Sequence, residues 1–319
     1  WLDDARLDFH KCCIGPVGPI TISPSSVKVS IIKQLYRIRH GAKAPRFGPC
    51  PTFAQGQDKA SIDVVSNADN GSAVSLAIAE ELAHILAQKA GPVRKEARKP
   101  DGQKAGTIFE KTVTDFVSSA FPQFGHLRAG SFTCQHGGLI TRFDQYAHLA
   151  ILEALANGHD ELKTALVADY LIKPDIVVFR HREPDATINA STHLVSDQVA
   201  RLTPLREVNG TLPTLHASVS CKLTMRSDRA QNSRSEALNL VRNRKGKLPN
   251  IIAVTAEPLP SRIASLALGT GDLDCVYHFA LPELRQALDN LDLHDGIDLI
   301  NTMVDGQRLR DIADLPLDL

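Results

Sequence analysis

Three things are scarce in this 319-residue chain, and each scarcity excludes a class of function. No stretch reaches the roughly eighteen consecutive uncharged apolar residues of a bilayer-spanning helix, and the opening WLDDARLDFH is too acidic for a secretory leader. A soluble cytoplasmic protein without a membrane partner is expected. The six cysteines, Cys12, Cys13, Cys50, Cys134, Cys221 and Cys275, include no CxxC pair and no paired His/Cys spacing of a zinc site, so they read as reduced thiols. Net charge is missing too: 36 Lys and Arg balance 36 Asp and Glu, and the whole-molecule field does not announce a nucleic-acid partner.

What is present is unevenly placed charge. From Lys222 to Lys247 eight basic residues stand against Asp228 and Glu236, a net +6, whereas from Asp272 to Leu319 eleven acids stand against three arginines, a net −8. A basic polyanion-facing surface with an acidic surface elsewhere fits this asymmetry, as do two ordinary solvated faces. With 43% hydrophobic residues the chain can bury a core the size of one large α/β domain.

Residues 1–60 are rich in Gly, Pro and basic side chains and read as an irregular segment of uncertain role, leaving 61–319 as the structured domain. Helical periodicity runs from Ser72 to Lys89, from about Ile108 to Phe121, and through QYAHLAILEALANG to Gly158. In the second of these Phe109, Val113, Phe116, Val117 and Ala120 form one apolar stripe, and Thr107 is the expected N-cap. Beyond it the pattern changes to β-branched runs at Pro174–Phe179, Leu215–Met225 and Ile251–Thr255, with a further strand near 274–281. An amphipathic helix, Ala230–Val241, entered through Ser227 or Asp228 as N-cap, separates the second and third strands. Strand, helix, strand implies a βαβ unit, hence an α/β fold with a central mixed sheet flanked by helices.

Within that frame Pro174-Asp175 opens one strand and Lys222 lies inside the next, the placement of a PD…(D/E)xK site. Hydrolysis of a phosphodiester calls for carboxylates that hold a hard divalent cation and a lysine that orients the attacking water. The acid expected two residues before the lysine is absent, because that position is Ser220. Glu236, fourteen residues after Lys222, can replace it from the helix. Strand alternation turns Cys221 to the opposite face from Ser220 and Lys222, as a packing thiol rather than a nucleophile.

The segment SCKLTMRSDRAQNSRSEALNLVRNRKGKLP carries the lysine, an RSDR block and the relocated glutamate of the CCGG family of type II restriction endonucleases, of the PD-(D/E)xK superfamily. The resemblance continues through IIAVTAEPLPSRIASLALGTGDLDCVYHFALPEL and DIADLPLDL, and upstream through VVSNADNG, AGTIFEKTVTDFVSSAF and DYLIKPDIVV, covering roughly 62–319. It implies a restriction-endonuclease-like core, Asp175 and Glu236 as metal-binding carboxylates, Lys222 as the catalytic lysine, Ser220 as the small residue replacing the usual acid, and Glu110 as an additional acid. It also implies one or two Mg²⁺ per active site, a duplex-DNA substrate cut at GCCGGC after the first G, a dimer-of-dimers homo-oligomer, and a cognate DNA methyltransferase in the same bacterial cell. Taken alone, Glu110 also fits a capping box with Thr107.

Arg226-Ser227-Asp228-Arg229 sits where strand passes into helix, and its chemistry suits C:G pairs. Arginine donates to guanine O6 and N7, and a carboxylate accepts from cytosine N4. The resemblance adds Arg262 and Gln103 as readers of the outer pair, in the major and minor groove respectively. Arg242, Arg244, Lys245 and Lys247 suit phosphate or solvent. Two other readings stay open: a repair or non-specific nuclease of the same fold, in which RSDR only grips phosphate, and a catalytically silent DNA-binding protein.

Overall fold

The computed structural model describes residues 55–57, 63–90, 95–96, 102–156, 172–269 and 271–319. The segment expected to be irregular, 1–60, lies outside them apart from Gln55–Gln57. Two compact units divide at Ile108/Phe109.

In the first unit, β1 (Gln55–Gln57) pairs with β2 (Asp63–Val65) and β3 (Lys95–Glu96). Helix α1 (Ala73–Ala90) follows β2 and starts where the periodicity placed it. The Ser72 hydroxyl accepts the Ser75 N–H at 3.2 Å, an N-cap, and Ile78, Leu82, Ile85 and Leu86 form the buried stripe. Helix α2 (Gly102–Ala120) opens in this unit and continues into the second.

The second unit is built on six strands in chain order: β4 (Phe132–His136), β5 (Ile176–Arg180), β6 (Thr214–Lys222), β7 (Asn250–Thr255), β8 (Cys275–His278) and β9 (Leu309–Asp311). The first three pair antiparallel and β6 to β9 run parallel, so the sheet is mixed, as expected. The remaining helices are α3 (Ala147–Ala156), α4 (Asp185–Ile188), α5 (Ser227–Asn243), α6 (Pro260–Ala267), α7 (Leu281–Asn290), α8 (His294–Asp305) and α9 (Leu315–Asp318). Ile176 to Phe179 and Ile251 to Val254 are buried without alternation, because helices cover both faces of the middle strands. No helix among the described residues is long and apolar enough to cross a membrane.

Two boundaries differ from expectation in ways that matter for the site. Helix α2 begins at Gly102, so Thr107 lies inside it and its hydroxyl donates to the Gln103 carbonyl at 3.2 Å instead of capping. The apolar stripe is as expected, with Phe109, Val113, Phe116 and Val117 buried and Ala120 partly so. Ala105, also buried, carries that face one turn further toward the N-terminus, four residues ahead of Phe109, and the helix runs through Thr107. Helix α5 begins at Ser227 with Arg226 in the cap position (φ −95°, ψ 164°), which corrects the expectation that Ser227 or Asp228 caps it. Strands β4 and β9 were not anticipated; both are sheet edges, where a short strand carries a weak pattern.

Candidate active site and DNA-reading cleft

Asp175 stands one residue before β5, opposite the end of β6 that carries Lys222. Its backbone carbonyl accepts the Gly137 N–H at 2.8 Å. Gly137 has φ +49°, the left-handed conformation glycine adopts freely, which lets the chain leave β4 while fixing the Asp175 backbone. The Asp175 Oδ2 accepts the Cys221 N–H at 2.6 Å and the Lys222 Nζ at 3.3 Å. The Lys222 and Asp175 side chains are 15% and 21% exposed, so this is a partly buried ion pair, reachable by a ligand. Cys221 is buried, and burial followed by the Asp175 charge pushes its thiol well above the usual range, in keeping with a packing role.

Ser220 shows why the expected acid is displaced. It is buried, with its Oγ 3.4 Å from the Ser233 Oγ of α5. A carboxylate at this point would be pressed against a helix and stripped of water. The same helix presents Glu236 one turn beyond Ser233, half-buried, its Oε1 accepting from the Asn232 amide at 3.0 Å.

Glu110 comes from the other side. Strand register puts Cys134, His136, Val219 and Cys221 on one face of the sheet and Ser218, Ser220 and Lys222 on the other. Helix α2 meets the first face through Ser118 Oγ, which donates to Cys134 Sγ at 3.4 Å, and through Glu110, whose Oε2 lies 3.8 Å from His136 Nε2. With eight residues of α2 ahead of it, Glu110 is mid-helix, and the capping-box reading is excluded. His136 was not anticipated, since it belongs to the unanticipated β4; the alternation in FTCQH was its faint signal.

Both glutamates are perturbed by the central pair. Burial first, then the Asp175 charge, pushes the Glu110 carboxyl above the usual range, while Lys222 and His136 oppose the rise. Glu236 is also raised, by burial first and by Asp175 as well, with Lys222 the largest opposing influence. Among the described residues, three carboxylates thus gather around one lysine, with His136 beside Glu110, and hard oxygen donors suit a divalent cation. Among the described residues, no three His, Cys, Asp or Glu side chains are drawn into a ready-made ligand cage. The donor set fits a hard cation in its chemistry, with the acids still apart.

Beyond Lys222 the chain enters a cleft of about 520 Å³ lined by Met225, Arg226, Ala230, Gln231, Arg234, Ser261, Arg262 and Ser265. Arg226 is exposed at the start of α5, and Arg262 is the third residue of α6. Two candidate readers far apart in sequence therefore line one surface. Ser227, Asp228 and Arg229 form the first helical residues of α5. Gln103 is exposed on the opening turn of α2, in the first unit. Not every cation of the basic segment faces outward: Arg234 donates to the Ser265 carbonyl and Arg244 to the Val241 carbonyl.

Comparison with known proteins bears on both centres together. A sequence profile of the family described as NgoMIV restriction enzyme matches residues 53–319, starting nine residues upstream of the resemblance read from the motifs. The type II restriction enzyme NgoMIV of Neisseria gonorrhoeae is 51% identical over 261 residues, which span 80% of this chain and 90% of that protein. Asp175, Lys222, Glu236, Arg226 and Arg262 all fall within the matched region, and this chain belongs to the NgoMIV restriction enzyme family as a site-specific restriction endonuclease.

Proposed function

We propose that the protein makes double-strand cuts in DNA at a palindrome with a CCGG core, GCCGGC cut after the first G, using one or two Mg²⁺ per active site. The observation that carries this reading is the placement of the Asp175–Lys222 pair and the Arg226/Arg262 cleft at the same end of adjacent strands, β6 and β7. Catalysis and DNA binding are assigned to residues 61–319.

In this reading Asp175 and Glu236 hold the cation, and Ser220 leaves room for the helix that brings Glu236. Bound Mg²⁺ supplies charge neutralisation at the scissile phosphate and a lowered pKa for the attacking water. Lys222, held by Asp175, orients that water and donates to the phosphate as the new P–O bond forms and the bond to the leaving ribose oxygen breaks. Glu110 accepts a proton from the incoming water, a task suited to a carboxyl with a raised pKa. Arg226, Asp228 and Arg229 read the C:G core from the start of α5, supported by Ser227, while Arg262 and Gln103 address the outer pair. A two-fold palindrome is matched by a two-fold dimer, with a dimer of dimers as the full assembly. Its cellular partner is a DNA methyltransferase that protects the same sequence in the bacterial cytoplasm.

The test is a Mg²⁺-dependent digest of plasmid of known sequence with the fragment ends mapped, alongside Asp175→Asn. Discrete fragments ending at GCCGGC are expected from the intact protein. A continuous ladder would identify a non-specific nuclease, and retention of DNA without cutting a binding protein only.

A further inference from the structure

Glu257 belongs to no element described so far, yet it is fully buried just beyond β7, a costly place for a carboxylate. Its Oε2 accepts the Met225 N–H at 2.6 Å, and its Oε1 accepts the Leu259 N–H at 3.1 Å. Its own N–H donates to Thr255 Oγ1 at 3.1 Å, and its carbonyl accepts from His278 Nε2 at 3.2 Å, so the residue is anchored from behind as well. Met225 immediately precedes Arg226, and Leu259 is the cap residue of α6, which carries Arg262. The Arg262 Nη1 also lies 3.9 Å from Glu257 Oε2.

One buried carboxylate therefore grips the backbone beside each of the two arginines that line the cleft. We infer that Glu257 is a positioning residue that fixes Arg226 and Arg262 relative to one another, so that readout of the inner and outer base pairs is coupled through it. The inference rests on the proposed DNA-reading role of those arginines. Two N–H groups satisfied by the two oxygens of a single carboxylate set the spacing of the α5 and α6 starts more tightly than two independent caps would. The charge holds the Arg262 guanidinium near the cleft wall and limits its search for other partners. Glutamine has almost the same shape but presents one acceptor and one amide donor. It can satisfy only one of the two N–H groups and sets a donor against the other.

The test is equilibrium binding of wild type and Glu257→Gln, in Ca²⁺ to suppress cutting, to three duplexes. One carries the palindrome mapped in the digest, one has its outer pair exchanged, and one has an inner pair exchanged. Thermal midpoints and the salt dependence of binding to unrelated DNA are measured in parallel. Wild type is expected to lose roughly 10- to 100-fold in affinity with each exchange. E257Q is expected to keep its salt dependence on unrelated DNA and to discriminate at least about tenfold less at both positions. Arg262→Ala, which is expected to abolish outer-pair discrimination in the otherwise wild-type protein, should then change little further in the E257Q background. Wild-type discrimination retained at either position by a folded E257Q overturns the inference. So does a loss confined to unrelated-DNA affinity, which would make Glu257 a general brace. If E257Q does not fold, Glu257→Asp, charged but one methylene short, is read by the same criteria. A wild-type digest without specific ends would instead refute the functional reading, which keeps the two failures apart.

Discussion

Asp175→Asn separates the structural from the chemical role of the central carboxylate. Asparagine keeps the shape and can still accept the Cys221 N–H, so the connection between β5 and β6 persists. What it loses is charge at an oxygen that serves both that N–H and Lys222. The bond from the Cys221 N–H, worth about 1.5–3 kcal/mol to a charged acceptor, becomes a neutral bond of about 0.5–1.5 kcal/mol, while the bond from the Lys222 ammonium keeps one charged partner and weakens less. Against this loss stands relief of the repulsion that Asp175 exerts on Glu110 and Glu236. The net change in stability is expected to be small, about 1–2 kcal/mol at most, read as a shift of the urea midpoint with an unchanged slope. Cleavage should respond differently, because in the proposed reading the substitution removes a charge that holds the cation, and it weakens the hold on Lys222. A loss of about 3 kcal/mol or more in transition-state stabilisation corresponds to at least about 10²-fold in single-turnover rate at saturating Mg²⁺. The carboxyls of Glu110 and Glu236 should titrate lower in the variant, which shifts the acid limb of any residual activity to lower pH. A folded variant cutting within about threefold of wild type would refute the assignment of Asp175.

Arg226→Ala should weaken binding by about 1–3 kcal/mol on duplexes with an intact C:G core and much less on others, in a fluorescence-anisotropy titration at fixed salt; equal losses on all sequences would move Arg226 to the phosphate-contacting class. Ser220→Glu should destabilise by about 2–4 kcal/mol, because it drives an unpaired carboxylate into the buried contact with Ser233, and a thermal midpoint equal to wild type would show that α5 moves aside. His278 is buried with Nδ1 accepting the Ala280 N–H and Nε2–H donating to the Glu257 carbonyl, and burial pushes its pKa from 6.5 down to about 4. Between those two pH values the unfolded chain takes up a proton that the fold refuses, so stability should fall as pH drops from 6.5 toward 4, by about 3 kcal/mol in full, and level off below. Urea unfolding at pH 7.0 and 4.5 checks this, with His278→Gln expected to flatten the dependence; a wild type equally stable at both would refute it.

Much of the site was legible from residue order alone, for reasons the structure makes plain. Asp175 and Lys222 lie at the ends of strands whose β-branched runs are unmistakable, and antiparallel pairing of neighbours brings such ends together. Glu236 was legible because a helix that follows a strand in a βαβ unit must pack back over the sheet, carrying its inner face to the strand end it left. Glu110 is the contrasting case. Locally, Thr107 and Glu110 satisfy every requirement of a capping box, and only burial of the α2 face, from Ala105 onward, decides that the helix starts six residues earlier and that Glu110 faces the sheet. That Arg226 and Arg262 line one cleft, and that the buried Glu257 bonds to the backbone at both helix starts, left no local trace, since both depend on parallel alignment of β6 with β7 and on a cavity between two helices. The sequence by itself determined the chemistry at hand: which acids, which lysine and which arginines the strand ends and helix starts would offer. Only tertiary structure decided which of them share charge, which arginines share a cleft and which carboxylate is buried, because those are set by long-range packing over both faces of the sheet and not by the propensities of neighbouring residues.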